Sequence, residues 1–433
     1  MGRSYIVEEA VEGYLTKQCE QKAGPVTGLL IGQSSTQREF VVTATRTPQR
    51  EEPLAAGDSP DKQWVTEHAR QVSRMLPGGL SVLGVFIVTD IDAKDSLATL
   101  RKLVFAVENL ISSERLWNPA DDDVTDCVAL HVNPKTRKTF CRTFDIKDPK
   151  SVAKPADWKY QSGVCSSWST VSCSLSVDML VPLPDDRTDL EDMDKCLKEG
   201  LKVWAHQLES AVCLIDGRKL SEDMELVGGQ KRNVRQTYTA QLLITPDERR
   251  ATDVVQRCGG SVSVRGAIHS RAYLHSNKPK AKLAEKLLKR DAVSTVATRA
   301  QMLLEELLTS DGESKGSGRD RPQRELFCLP HRIFCPVKAS GPVCVCDYHF
   351  SDEGLSVVTD RLKEMLDIDA AEKDLDTRQE TPAEVLEGEA AAEPTVETIE
   401  ALEPKRNRYI GVAMATVVAF LATAASMLYL NDV

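Results

Sequence analysis

The chain has 433 residues, 41% of them hydrophobic, which is enough for two domains with cores of their own. Its formal net charge of −10 is concentrated in residues 371–404, where eleven acidic residues accompany two basic ones, and residues 1–370 carry only −3. Charge therefore indicates neither nucleic acid nor an acidic substrate as a partner.

The amino terminus shows no targeting signal. MGRSYIVEEAVEGYL has neither the basic start nor the apolar stretch of a secretory signal peptide. Ile6 stands where a myristoylation signal needs Ser or Thr. We therefore expect a cytosolic body, in which the twelve cysteines, scattered without a repeating spacing, are mostly reduced thiols.

Residues 1–150 predict an α/β domain. Val7, Val11 and Leu15 lie on one face of a first helix, and Pro77-Gly78-Gly79 is a strong signal for the end of a second. A third helix has a stripe of apolar residues that is typical of a buried face. The predicted elements are a helix at 7–18, strands at 26–32 and 39–45, a helix at 66–76, a strand at 81–88, a helix at 97–111, and a hairpin of strands at 127–132 and 138–144.

This order of elements resembles the MPN (JAB1-like) fold, whose active members are zinc isopeptidases. Their chemistry needs two histidines one residue apart on a strand, because residues i and i+2 point the same way and can share one zinc ion. Ile87 and Thr89 stand at those two places, and nothing near Leu97 and Leu100 restores the Ser and Asp that should follow. The resemblance implies a catalytically inactive domain that works as a binding partner. His68, alone on the preceding helix, is expected at a surface or an interface.

Residues 151–370 predict a second α/β domain. Between the two domains, residues 148–168 lack periodicity but contain Trp158, Tyr160 and Trp168, so this linker is expected to pack between them. The predicted strands lie at 171–182, 236–245, 261–275, 325–337 and 342–350, and the predicted helices at 190–208, 280–308 and 353–366.

The second domain contains the strongest chemical candidates of the sequence. Six potential metal ligands occur within 22 residues, and they are Cys328, His331, Cys335, Cys344, Cys346 and His349. They form either a zinc site or a set of reduced thiols buried in strands. Zinc knuckles use a two-residue gap with a turn glycine, whereas CPVKASGPVC has the pattern of an ordinary hairpin, so the second interpretation is favoured and no metal or cofactor is predicted. Cys165 has no histidine within ten residues and is disfavoured as a nucleophile.

Residues 371–404 predict a linker. They are acidic, lack aromatic residues and contain three prolines, so they cannot bury enough apolar surface to fold alone. As a flexible coil such a segment reaches roughly 30 Å on average. We expect a solvated, disordered spacer; an acidic docking motif is the alternative.

Residues 405–433 predict a C-terminal tail anchor. The 21 residues 410–430 carry no charge, and at about 1.5 Å rise per residue a helix of this length spans a bilayer core of roughly 30 Å. Lys405, Arg406 and Arg408 precede the span and indicate that this flank is cytosolic. Moderate hydrophobicity favours the thinner endoplasmic reticulum bilayer; a buried helix of the body is the alternative. Apolar positions of the span include Ile410, Val412, Val417, Val418, Phe420, Leu421, Leu428 and Leu430.

Longer stretches resemble the odr-four homolog family (odorant-response-abnormal protein four). They are MGRSYIVEE, GLLIGQSS followed by ATRTP, WVTEHARQVSRMLPGGLSVLGVFI, FCRTFDIKDPKSVAKPADWKYQSG and RGAIHSRAYLHSNKPK. The resemblance implies a single-pass protein of the endoplasmic reticulum membrane that assists maturation of G-protein-coupled receptors, including odorant receptors. It also implies pairing with the larger Ufm1-specific cysteine protease. The Asp-Pro-His motif of that protease is absent, since Asp148-Pro149 is followed by Lys150.

Two functional hypotheses follow from different classes of protein. The first is a non-catalytic adaptor whose body binds the Ufm1-specific protease and whose tail holds the pair in the lipid bilayer. The second is a chaperone that contacts client receptors directly, without the protease. An active peptidase is disfavoured because the catalytic motifs are missing.

Overall fold

Three β-sheets and six α-helices form the described part of the chain. The structure is a computed structural model. Residues 1–383 form one compact unit, and the mixed α/β class expected from the sequence is confirmed. The described residues are 3–20, 24–36, 38–49, 60–183, 190–226, 236–244, 260–275, 278–310, 328–337 and 341–380.

Eight strands form the first sheet: β1 (Ser4–Glu8), β2 (Val26–Gln33), β3 (Glu39–Arg46), β4 (Ser81–Val88), β5 (Asp126–Val132), β6 (Thr139–Asp145), β7 (Lys154–Pro155) and β8 (Asp157–Gln161). Their order is β7-β6-β5-β4-β2-β3-β1-β8. The sheet is mixed, because β1 runs parallel to both β3 and β8, and β4 runs parallel to β5. The remaining neighbours are antiparallel.

The first sheet closes on itself. Only Ala156 separates β7 from β8, yet these two strands stand at opposite ends of the strand order. The N–H of Ala156 donates to the carbonyl of Cys141 (3.3 Å), and the N–H of Asp157 donates to the carbonyl of Arg3 (2.9 Å). One extended segment therefore joins both ends of the sheet and makes it a barrel. Its interior includes the side chains of Tyr5, Val7, Leu30, Val41, Phe86, Val128 and Leu130.

The helices are α1 (Glu9–Glu20), α2 (Lys62–Arg74), α3 (Ala93–Glu114), α4 (Leu190–Ser210), α5 (Ala281–Ser310) and α6 (Leu355–Leu366). Asp61 caps α2 by accepting hydrogen bonds from the N–H groups of Gln63 and Trp64. The apolar residues of α1 pack into the barrel interior, whereas α2, α3 and α6 cover the outside of the barrel and form a larger core there.

A second sheet contains β9 (Ser169–Leu183), β10 (Val212–Ile215), β11 (Thr237–Leu243) and β12 (Gly260–Leu274), in the order β10-β11-β9-β12. One face packs against α4 and α5, with Trp204 and Leu288 in its core. From Cys173 to Pro182 buried and exposed side chains of β9 alternate, so the other face of the sheet is exposed there. β12 stands at the edge of this sheet.

The third sheet is the hairpin of β13 (His331–Pro336) and β14 (Cys344–His349). Ile333 and Val345 of this hairpin share the outer core of the barrel with Val85 of β4 and Leu362 of α6. The boundary expected near residue 150 therefore does not coincide with a break in packing, because side chains from both sides of it fill one core.

Three local expectations differ from the structure. Val7 lies in β1 and not in the first helix, because Tyr5, Ile6 and Val7 pair with β3. Residues 148–168 contain β7 and β8, so Trp158 and Tyr160 pack on the barrel core as strand residues. The short strand β10 has no counterpart among the predicted elements.

The beginning of the acidic segment is folded, which corrects the predicted linker at 371–404. A 3₁₀ turn covers Glu372–Asp374, and Asp376 exchanges two main-chain hydrogen bonds with Phe334 of β13 (2.8 and 3.1 Å). Glu380 is 6% exposed. The acidic composition therefore does not prevent folding here, because main-chain pairing and a buried ion pair hold residues 371–380. Residues 381–404 lie outside the described part.

Candidate functional site

The two positions at which the MPN resemblance expects zinc ligands are filled by residues in core and main-chain contacts. Ile87, in β4, is 3% exposed and lies in the outer core of the barrel. Thr89 is 5% exposed; its N–H donates to the carbonyl of Val132 (3.1 Å), and its hydroxyl accepts from the N–H of Ile91 (3.3 Å). Neither side chain offers a metal a free donor of the imidazole type.

The neighbouring strand does not supply the missing ligands. His131 of β5 is the register partner of Ile87, and its Nε2 lies 3.0 Å from the carbonyl of Ile91, which makes Nε2 the protonated nitrogen. Leu97 and Leu100, at the places of the expected Ser and Asp, pack in the outer core. Among the described residues, no group of three or more His, Cys, Asp or Glu side chains is placed to hold a metal ion.

His68 is buried, which corrects its expected place at a surface or an interface. It lies on α2 at 4% exposure, and its Nε2 donates to the carbonyl of Met365 (2.8 Å) at the end of α6. Its Nδ1 is buried without a hydrogen-bond partner. Burial lowers the pKa of His68 to about 4, against a small opposing effect of the bond to Met365, so the ring is neutral at pH 7.

Replacing His68 with glutamine is expected to weaken the pH dependence of stability in mildly acidic solution. The folded-state pKa is about 4 and the unfolded value 6.5, so the unfolded chain binds the proton first as the pH falls. The contribution is complete above pH 6.5 and is lost between about pH 6.5 and 4. Denaturant unfolding between pH 7 and 4.5 measures how the free energy of unfolding changes with pH. This slope should be smaller in His68→Gln than in the unchanged protein, by up to about 1.4 kcal/mol per pH unit. The exposed His206→Gln is the control, and an unchanged slope in His68→Gln would contradict the prediction.

The cysteines of β13 and β14 are packed as thiols. Cys335 pairs in register with Val345, and Cys346 with Phe334, so the two thiols are not opposite one another. Burial raises the pKa of Cys346 to about 11, which keeps its sulfur protonated. His331 and His349 are register partners, but the Nε2 of His349 lies 2.9 Å from the carbonyl of Glu353. Of the other candidate ligands, Cys344 is half-buried and Cys328 is exposed.

Cys165 has the environment of a core residue. It is fully buried in the outer core of the barrel, and burial together with the charge of Glu8 raises the pKa of its thiol. A nucleophilic cysteine needs the opposite, a pKa lowered by a nearby cation or base.

The centre of the molecule holds a buried carboxylate that the sequence did not single out. Asp291 of α5 has a side chain only 1% exposed and accepts five hydrogen bonds. The guanidinium of Arg332 in β13 donates two of them (2.8 and 2.9 Å). The N–H groups of Gly78 and Arg271 and the hydroxyl of Ser270 donate the others (2.8, 2.8 and 2.9 Å). Asp291 thus ties α5, β12, β13 and the turn after α2 together.

The turn that ends α2 is part of this arrangement. Gly78 exchanges two main-chain hydrogen bonds with β12, to Arg271 and Tyr273 (both 2.9 Å). A Cβ on Gly78 would lie 2.7 Å from the carbonyl oxygen of Leu287 and 2.9 Å from the Cβ of Asp291. Only glycine allows this close approach.

A second buried carboxylate comes from the carboxyl end of the described chain. Glu380 has a side chain 3% exposed and accepts from the N–H of His269 in β12 (2.7 Å) and the N–H of Arg332 in β13 (2.8 Å). The guanidinium of Arg299 in α5 donates the third hydrogen bond (2.7 Å). The segment that was expected to be a spacer thus carries a residue that joins three elements. No local sequence signal separates Glu380 from the ten other acidic residues of 371–404.

The predicted membrane span lies outside the described residues. This applies to the apolar positions from Ile410 to Leu430 and to the flanking Lys405, Arg406 and Arg408. Within the described part of the chain, no helix has both the length and the apolar character needed to cross a bilayer.

The protein has a mixed α/β fold, and its described residues form no metal-binding cluster. Residues 28–377 match the family described as ODR4-like, Odorant response abnormal 4-like. The chain is 42% identical to the Protein odr-4 homolog of Homo sapiens and 40% identical to that of Mus musculus, in each case over 100% of both chains. The chain belongs to the Odorant response abnormal 4-like family.

More distant similarities extend the comparison. The Protein odr-4 homolog of Dictyostelium discoideum is 22% identical over 78% of this chain and 75% of that protein. Among solved structures, UfSP from C. elegans superimposes with a TM-score of 0.42 and 8% identity, over 85% of this chain and 57% of that chain.

Proposed function

We propose that the chain is a non-catalytic adaptor that recruits the larger Ufm1-specific cysteine protease to the endoplasmic reticulum membrane. The observation that carries the proposal is that Ile87 and Thr89 stand where the MPN resemblance expects two zinc-binding histidines. Ile87 and Thr89 are buried, and the hydroxyl of Thr89 accepts a hydrogen bond from the N–H of Ile91. If the MPN resemblance holds, a domain with these residues at the ligand positions acts by binding a partner, which supports the adaptor role.

Family membership supports the proposed role in receptor maturation. The matched family is described as Odorant response abnormal 4-like. An odorant response needs odorant receptors, which are membrane proteins. An adaptor at that membrane supports the maturation and trafficking of G-protein-coupled receptors through the protease that it holds. The apolar stretch 410–430 and its basic flank support the location.

Deleting residues 405–433 is expected to separate localisation from binding. The full-length chain should co-purify with the Ufm1-specific protease in the membrane fraction, and the shortened chain should co-purify with equal yield in the soluble fraction. The reason is that the folded body, not the tail, binds the protease. The measurement is affinity purification from fractionated cells with quantitative immunoblotting. Failure of the full-length chain to retain the protease under gentle conditions would contradict the proposal.

An exchanged anchor is the matched control. Replacing 405–433 with an unrelated tail anchor should restore membrane location and receptor maturation. Loss of receptor maturation despite retained protease would instead support a chaperone whose tail contacts client receptors directly.

A further inference from the structure

The last five described residues, Asp376 to Glu380, form a strap that lies across β12 and β13. The sequence of the strap, DTRQE, contains no apolar residue. Asp376 exchanges two main-chain hydrogen bonds with Phe334, and its carboxylate lies 4.0 Å from the guanidinium of Arg271. At the other end of the strap, Glu380 is buried. Polar contacts hold the strap in place, so its release gives up no burial of apolar side chains of its own.

A cavity lies beside the chain that leads into the strap. It has a volume of about 520 Å³ and is lined by Thr359, Asp360 and Lys363 of α6 and by residues between Ile368 and Asp374. Segments with few buried apolar contacts open locally at a lower free-energy cost than the rest of a fold. The cavity and the polar strap together make residues 371–380 a segment of this kind.

The site that receives the carboxylate of the strap is built by the body of the protein. The guanidinium of Arg299 donates to the hydroxyl of Thr295 (3.1 Å) and lies over the ring of Tyr348, 5.5 Å from its centroid. The N–H groups of His269 and Arg332 belong to strands that pair with β9 and β14. None of these contacts involves the strap. The three donors therefore keep their places when the strap leaves, and they form a preorganised site for a carboxylate.

Glu380 does not satisfy this site completely. It accepts one hydrogen bond from the Nη2 of Arg299 (2.7 Å), and the buried Nε–H of Arg299 has no acceptor among the described residues. A guanidinium can hold a carboxylate through two parallel hydrogen bonds. A carboxylate that is not tied to the strap can therefore satisfy a donor that Glu380 leaves without a partner.

We propose that this site binds an acidic side chain of a partner protein, and that the strap fills the site in cis until the partner displaces it. The strap shows which chemistry fits. The matching ligand is an extended segment with two acidic residues four positions apart, one beside Arg271 and the other on Arg299. Main-chain pairing with Phe334 sets the register of the segment. The inference goes beyond the proposed function, because it depends neither on the protease nor on the membrane.

The test uses a fluorescent peptide of residues 372–380, EKDLDTRQE, and the full-length protein in detergent. In Glu380→Ala the strap no longer fills the site, so the peptide should bind at least about tenfold more tightly than to the unchanged protein. Fluorescence anisotropy measures the binding. The control is the same peptide with Glu380→Gln, which should bind Glu380→Ala no more tightly than it binds the unchanged protein. Equal binding of the acidic peptide to both proteins, or equal binding of both peptides to Glu380→Ala, would overturn the inference.

Hydrogen exchange of the unchanged protein tests the release of the strap without any substitution. The N–H groups of His269, Arg332 and Asp376 are bonded to the strap or belong to it. After correction for intrinsic rates they should exchange about a hundredfold or more faster than the N–H of Tyr273, which donates to Gly78. Exchange of all four at one common rate would show that the strap opens only when the body unfolds, and would overturn the inference. Neither measurement includes the protease, so a failure here is distinguishable from a failure of the proposed function.

Discussion

Replacing Asp291 with asparagine is expected to lower the free energy of unfolding by about 3–5 kcal/mol, because the substitution leaves a buried guanidinium without its counter-charge. Arg332 has a side chain 1% exposed and makes both of its hydrogen bonds to Asp291 through the two terminal nitrogens. An asparagine also places an NH₂ group toward donors that now meet an oxygen, so at least one N–H at this centre loses its acceptor.

Denaturant unfolding of the full-length protein in detergent, followed by tryptophan fluorescence, measures the effect. Asp178→Asn is the matched control, because Asp178 also binds an arginine at 2.9 Å but has a side chain 72% exposed. Its loss should stay within about 1 kcal/mol, as for other solvent-exposed pairs. A loss of less than about 1 kcal/mol in Asp291→Asn would show that the buried pair does not stabilise the fold.

A double variant separates the charge from the packing. Asp291→Asn combined with Arg332→Met removes both members of the pair, so neither position keeps a charge without its partner. We expect the double variant to be less destabilised than the sum of the two single variants. Additive losses would contradict the direct coupling of the two side chains.

Replacing Glu380 with glutamine is expected to cost about 3 kcal/mol or more, which is unusual for an acidic residue in an acidic segment. One carboxylate oxygen accepts from His269 and Arg299, and the other accepts from Arg332. Glutamine replaces one of these acceptors with a donor and removes the charge that balances Arg299. Glu372→Gln, at an exposed position of the same segment, is the control and should change stability by less than about 0.5 kcal/mol.

Truncation of the chain tests in a second way whether residues 376–380 stabilise the body. A chain that ends after residue 375 loses the pairing of Asp376 with Phe334 as well as Glu380, and its unfolding midpoint should fall clearly. A chain that ends after residue 383 retains both and should match the body of the full-length protein. Equal midpoints of the two truncated chains would show that residues 376–380 do not stabilise the body.

Elements with a clear pattern of apolar residues were predictable from the sequence. The unbroken apolar run at 81–88 predicts a buried strand, and β4 has those bounds. The stripe of Leu100, Val104 and Val107 predicts the buried face of α3, and all three side chains are buried. In both cases the pattern is local. A strand buried on both faces is a continuous apolar run, and a helix buried on one face has apolar residues at helical spacing.

Elements stabilised by distant partners were missed. β1 has five residues, and the five of β8 combine aromatic and charged side chains, so neither has a clear period. They form because they pair with one another across about 150 residues of chain, from Tyr5 with Trp158 to Val7 with Tyr160. The sequence predicted His68 at a surface for the same reason. Its hydrogen-bond partner, Met365 of α6, lies 297 residues further along the chain.

The sequence by itself determined the membership in the family, the absence of histidines at positions 87 and 89, and the apolar stretch 410–430 with its basic flank. These are properties of residue identity and of short-range order. Only the tertiary structure decided which charged residues are buried, among them Asp291, Arg299, Arg332 and Glu380. It also decided which groups accept from the N–H groups of Tyr273, Arg271 and His269 in β12, namely Gly78, Asp291 and Glu380. Both depend on which distant elements meet, because a carboxylate or a strand edge is stabilised by the partner that the fold brings to it and not by its neighbours in the chain.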